Sequence, residues 1–175
     1  MFDTLITNKT RIKLLIRFFL NANQTAYLRG LERELGNSSN AIRLELNRFE
    51  EAGVITSETT GNRKEYRANP AYPLYDEIQS MVMKYFGIDT IVEEVIGRLG
   101  DLKAVYLTGD LAKGQDSQLV DIALVAENVD RAYLSTLVQK AEEQINRSIR
   151  TLVVGRGEKN LIPSPRVLIY GDGGE

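Results

Sequence analysis

The sequence predicts an α+β protein of two domains, on three observations. Helical spacing of apolar residues dominates the first half, two β-prone runs flank a turn-rich segment near residue 61, and short strand-like and helical runs alternate after residue 89. The expected layout is helix-turn-helix plus hairpin over 1–70, a linking helix over 71–88, and a small α/β domain with a mixed sheet over 89–175. With 175 residues and 43% hydrophobic content, the chain can pack cores without covalent staples.

Ile12, Leu15, Ile16 and Phe19 recur at helical spacing between Lys9 and Leu20, giving a first helix that ends near 21–23. Thr25 is the expected N-cap of a second helix with Leu28, Leu31 and Leu35 inward and Gly36 as its stop. The polar turn 37–39 caps a third helix to about Ala52, whose inward face is Ile42, Leu46 and Phe49. Asn40, Arg43 and Asn47 fall on another face of it. Gly53 ends this helix, and the runs 54–58 and 64–67 bracket the turn-rich segment 59–63 as a hairpin. Ala71 to Phe86 then carries Leu74, Ile78, Met81, Val82 and Tyr85 on a broad apolar stripe.

Gly87 and Asp89-Thr90 mark a boundary. Beyond it, Ile91, Val92, Val95, Ile96 and Leu99 read as a helix closed by Gly100, and 133–145 as another. Strands are expected at 103–107, 121–126, 149–154 and 166–170. This order implies a mixed sheet, in a domain too short for a doubly wound nucleotide fold.

The chain has no cysteine and no histidine, which excludes disulfides, Cys/His zinc sites and His-dependent nucleophile systems. The longest early apolar run, Leu14 to Leu20, is broken by Arg17 and is too short and too charged to span a membrane or serve as a signal peptide, so a cytoplasmic protein is expected. Net charge is −2, yet residues 8–67 hold 11 basic against 7 acidic side chains. That excess favours an anionic partner for the first half.

The segments Tyr27–Leu31, Leu46–Ile55, Arg63–Pro70 and Pro73–Tyr75, in that order and spacing, resemble winged-helix transcriptional regulators of the ArsR/MarR type. The resemblance implies double-stranded DNA as partner. A helix in the major groove needs exposed donors to reach base edges, which suits Asn40, Arg43 and Asn47. Arg63 and Lys64 at the wing suit phosphates, as do Ser38 and Ser39 at the helix N-terminus. Glu45, Glu50 and Glu51 on the same helix would lower the local potential and make affinity modest and salt-dependent. In such regulators the helix after the wing often builds a dimer, so a homodimer is expected.

Leu107-Thr108-Gly109 through Gly114, followed by Val120-Asp121-Ile122-Ala123-Leu124, resembles the minimal nucleotidyltransferase family of the polymerase-β type. That family joins a Gly-Ser turn and a basic glycine loop, which approach a triphosphate, to an Asp-x-Asp strand that holds divalent metals. Gly109, Lys113 and Gly114 match the loop, and Asp121 matches the first metal carboxylate. Asp110 stands in place of the serine, Ala123 in place of the second carboxylate, and 149–154 carries no acid for the third; Asp116 lies in a loop without the strand spacing. Arg156, Lys159 and Arg166 flank a loop over 155–165 that reads as solvated or as the border of a ligand cleft.

Together these features imply a sequence-specific DNA-binding regulator, not an enzyme. Its second domain would be a catalytically degenerate transferase fold, kept as a sensor for a small-molecule or protein effector. No cofactor is then expected. The alternatives are an active Mg-dependent nucleotidyltransferase with a winged-helix targeting domain, and an antitoxin-like autorepressor.

Overall fold

A computed structural model describes residues 2–173, so Met1 and Gly174–Glu175, the outermost residues of the two expected domains, lie outside the described residues. The chain is a mixed α+β fold with two sheets. It divides into two compact units, Met1–Val82 and Met83–Glu175.

The first unit begins with α1 (Phe2–Leu5) and α2 (Lys9–Phe19), the latter capped by Asn8, whose side chain accepts from the Arg11 N–H at 3.0 Å. The expected inward residues Ile12, Leu15, Ile16 and Phe19 are buried, but so are Leu14 and Phe18. A helix buried on so many sides draws in its polar residues too. Arg17 is 5% exposed, donating to Glu34 Oε2 at 2.7 Å and to the Thr25 carbonyl at 3.3 Å, while its Nη1 has no hydrogen-bond partner among the described residues.

Thr25 is not the cap of the next helix. Residues 26–27 form β1 (Ala26–Tyr27), paired with Tyr66 and Glu65, and α3 (Leu28–Leu35) starts directly after it with no side-chain cap. Strand pairing, not a hydroxyl, fixes the entry into α3. Gly36 ends the helix with φ +65°, as a left-handed C-terminal glycine should. Leu31 is fully buried, whereas Leu28 and Leu35 are only half-buried.

Ser38 caps α4 (Ser39–Glu51) by accepting from the Ala41 N–H at 3.3 Å. Ile42, Leu46 and Phe49 are buried beneath it. The strands β2 (Ile55–Thr60) and β3 (Arg63–Ala68) pair antiparallel around Gly61, φ +63°, and complete a three-stranded sheet of order β1-β3-β2. Next comes α5 (Tyr75–Tyr85), which runs past the division at Val82. Val82 is fully buried, Tyr75 packs its ring 5.6 Å from that of Phe19, and Leu74, just before the helix, is 52% exposed.

In the second unit the expected helix over 91–99 is interrupted. It comprises α6 (Ile88–Ile91), a π-helical turn (Val92–Ile96) and α7 (Gly97–Leu99), with Ile91, Val95 and Ile96 buried. The sheet has order β6-β5-β4-β7 and is mixed: β5 (Leu119–Ala126) runs parallel to β6 (Ser148–Val154) through α9 (Arg131–Ile145), and β4 (Leu102–Thr108) lies antiparallel to both β5 and β7 (Val167–Gly171). Parallel neighbours need such a helical crossover. Asp130 caps α9 through the N–H groups of Ala132 and Tyr133, each at 3.0 Å.

Candidate functional site

Two surfaces contain the residues singled out by the sequence, one in each unit. On α4, Asn40, Arg43 and Asn47 are exposed and share one face with Leu44, Arg48 and Glu51, at steps of three and four residues. Leu44 is 52% exposed there, an apolar side chain among donors that sequence reasoning passed over. Its signal was legible in hindsight, since it lies one residue beyond Arg43 and off the Ile42/Leu46/Phe49 face. Ser38 is committed to its helix cap, and Ser39 Oγ donates to the Glu32 carboxylate.

The glutamates of α4 do not act as a block of negative charge on that face. Glu45 is 1% exposed and accepts from Arg11 Nε and Arg48 Nη1, both at 2.7 Å, and from Asn8 Nδ2 at 3.1 Å. Burial pushes its carboxyl upward, but the bonds and charges of Arg11 and then Arg48 outweigh that and hold it below its ordinary range. Glu50 is also held low, by Lys64 and Ser57, which both donate to it. Of the three glutamates expected to weaken the surface, only Glu51 is exposed.

The hairpin presents Arg63 and Lys64, both exposed, in unequal states. Lys64 Nζ is 2.7 Å from Glu50 and its own proton affinity is raised by that bond. Arg63 has no carboxylate partner among the described residues and lies 5.3 Å from the centre of the Tyr27 ring.

In the second unit the expected loop from Gly109 to Gly114 is largely a helical turn, α8 (Gly109–Ala112). The N–H groups of Lys113, Gly114 and Gln115 donate to the carbonyls of Asp110, Leu111 and Asp110, at 3.0, 2.9 and 3.0 Å. Those three donors are closed on the turn itself. Asp110 and Lys113, three residues apart, pair at 3.0 Å.

Asp121 lies in register with Thr108 on β4 and with Arg150 on β6. Arg150 Nε donates to Asp121 Oδ1 at 2.5 Å, and Asp121 raises the proton affinity of that guanidinium. The carboxylate also rests on the Gly109 backbone, where φ is +66° and a Cβ would overlap it. Ala123, two residues on and on the same face, is fully buried with Ala104, Tyr106, Val125, Val154 and Ile162. A two-metal site does not fit these residues: the one carboxylate is bonded to a guanidinium, the second position is apolar core, and the neighbouring strand offers a cation. Among the described residues no group of three or more His, Cys, Asp or Glu side chains could hold a metal ion.

The loop after β6 separates its three cations. Arg156 borders a recess of about 410 Å³ at the ends of β5 and β6, with Glu127 and Glu158 on its walls. Arg166 instead lies 5.2 Å from the Tyr106 ring centre and donates to the Lys159 carbonyl at 3.0 Å.

No family model and no curated protein matches the chain. Solved structures similar to parts of it include reduced HlyU from Vibrio cholerae, at 13% identity over 51% of this chain and 80% of that one, with a TM-score of 0.36. AF1382 from Archaeoglobus fulgidus is 18% identical over 53% of this chain and 98% of its own, with a TM-score of 0.39. A structure described as a putative nucleotidyltransferase from Sulfolobus solfataricus is 24% identical over 54% of this chain and 86% of its own, at 0.37. At these scores none of them fixes the activity of this chain. The expectation that the chain is not an enzyme nevertheless does not stand: a structure described as a putative nucleotidyltransferase is among those similar to part of it, and the misfit of a two-metal site bears on that one chemistry alone. No described helix is long and apolar enough to cross a membrane.

Proposed function

We propose that the first unit is a winged-helix module of the ArsR/MarR type that binds double-stranded DNA in the cytoplasm and regulates transcription, with the second unit as a nucleotidyltransferase-like sensor or interaction module. The observation that carries the reading is the outward face of α4: Asn40, Arg43 and Asn47 are exposed together, and Glu45 on the same helix is buried and bonded to Arg11 and Arg48. In this reading Asn40, Arg43 and Asn47 reach base edges, joined by Leu44, whose methyl groups suit a thymine methyl. Arg63 holds a phosphate from the hairpin, with Lys64, Ser38 and Ser39 as further backbone contacts.

A homodimer belongs to the same proposal, built on α5, where Ile78 and Met81 are only half-buried and Leu74 precedes them exposed. Two copies would read half-sites about one helical turn apart.

Selection of bound fragments from genomic DNA, followed by affinity measurement on the recovered sequence, tests the reading. Arg43→Ala should weaken specific binding by about 1–3 kcal/mol while leaving the salt slope nearly unchanged. Equal binding by wild type and variant at physiological salt would sink it.

A further inference from the structure

Between the N-terminal end of α3 and the β2–β3 hairpin lies a recess of about 460 Å³, well inside the size range of small-molecule sites. Its walls include Tyr27 and Arg29 on one side and Asn62, Arg63, Lys64 and Tyr66 on the other, and none of the described lining residues is acidic. We propose that this recess binds a phosphate-bearing ligand of nucleotide size, and that the ligand competes there with DNA. The competition rests on the DNA-binding reading above; the site itself does not.

Charge, volume and rigidity support the assignment. Lys64 is tied to Glu50, but neither Arg29 nor Arg63 is paired with a carboxylate among the described residues. Arginines on both walls of one recess suit a phosphate, which planar N–H forks engage in bidentate fashion. The recess is also larger than one phosphate group needs, so it has room for the body that carries the phosphate.

Tyr27 is held in place before any ligand arrives. Its hydroxyl accepts from Arg33 Nη2 at 3.0 Å, the Arg63 guanidinium lies 5.3 Å from the centre of its ring, and a Cβ at Gly30 would come within 3.3 Å of that ring. A ring so fixed loses little freedom on binding. Arg63 then faces two demands, because a ligand that engages it withdraws it from a DNA phosphate.

The test uses the full chain, titrated by calorimetry with AMP, GMP, CMP and UMP, and separately with adenosine and inorganic phosphate. At least one nucleotide should bind, with the nucleoside and the free phosphate at least tenfold weaker. Arg29→Ala should weaken that nucleotide at least tenfold. Arg29→Gln, which keeps most of the stem, provides the same comparison if the alanine variant does not fold. A saturating nucleotide should lower wild-type DNA affinity at least threefold and leave the Arg29→Ala chain unaffected.

Failure of all four nucleotides to bind, or equal binding by both Arg29 variants and wild type, overturns the site. Inorganic phosphate binding as tightly as a nucleotide overturns its size class. Undiminished DNA affinity at saturating nucleotide overturns the competition. A chain that binds a nucleotide through Arg29 but no DNA keeps the site and removes the DNA reading; a chain that binds DNA and no nucleotide does the reverse.

Discussion

On α4 the Glu45 and Glu50 carboxylates are bonded within the protein while the amides and Arg43 face out; on β5 the one carboxylate expected to meet a metal, Asp121, is bonded within the protein to Arg150. Both surfaces were nominated from sequence by residue type. They differ in what remains available among the described residues: α4 keeps donors, the hairpin keeps Arg63 without a carboxylate partner, and the β4–β5 site keeps no metal-binding pair. Residue type nominates a surface, but the internal partner of each charge decides which charges a ligand can meet.

Restoring an acid to the β5 face should produce the largest effect. Ala123→Asp places a carboxylate in a fully buried apolar cluster, and the cost should be about 3–5 kcal/mol unless it finds a cation. A melt by circular dichroism with and without Mn²⁺ checks this. Full rescue by metal would show that the β5 face still accepts one and would break the contrast between the units.

Glu45→Gln comes next, at about 1.5–3 kcal/mol, because it removes the charge from two part-buried bonds between a buried carboxylate and arginine. The sign of its pH dependence follows from a folded-state affinity for protons below the ordinary one. Glu45 contributes stability above its unfolded value near 4.5, and that contribution is lost as pH falls through the lower folded value. Urea melts from neutral pH down to about pH 3 should therefore show a shallower acid loss in Glu45→Gln than in wild type. Parallel curves would mean that Glu45 is not ion-paired in solution.

Gly109→Ala should cost about 1–3 kcal/mol, from a left-handed backbone and from overlap with the Asp121 carboxylate. Asp121→Asn in the same chain should not restore it, since the amide occupies the same space; Asp121→Gly should recover part of the loss. Chemical denaturation of the three variants distinguishes these outcomes. The smallest effect belongs to Arg150→Ala. Arg150 is 69% exposed, so its pair with Asp121 adds little stability, and the melting temperature should barely move. A large drop would mean that the pair organises the sheet and not merely its surface.

Much of this architecture was legible because burial imposes a period. Ile42, Leu46 and Phe49 specify the inner face of α4, and the unbroken apolar run from Ile122 to Ala126 specifies a buried strand. What escaped depends on pairing across the chain, which one sequence does not display. Thr25 resembled a cap, but Ala26 and Tyr27 find partners in Tyr66 and Glu65, about forty residues away. The segment after Gly109 reads as an open loop because of its glycines, yet the N–H groups of Lys113, Gly114 and Gln115 bond back to close a turn. The quieting of Glu45 was hidden for the same reason, since Arg11 lies on another helix.

Arg17 has one carboxylate, one carbonyl and one nitrogen left over inside the first unit. Apolar contacts alone fix no single partner for α2, whereas a buried guanidinium bonded to both Glu34 and the Thr25 carbonyl favours one placement of the chain that follows it. Arg17 is thus an indexing pin, trading some firmness for the fixed placement of the helix on which α4 depends.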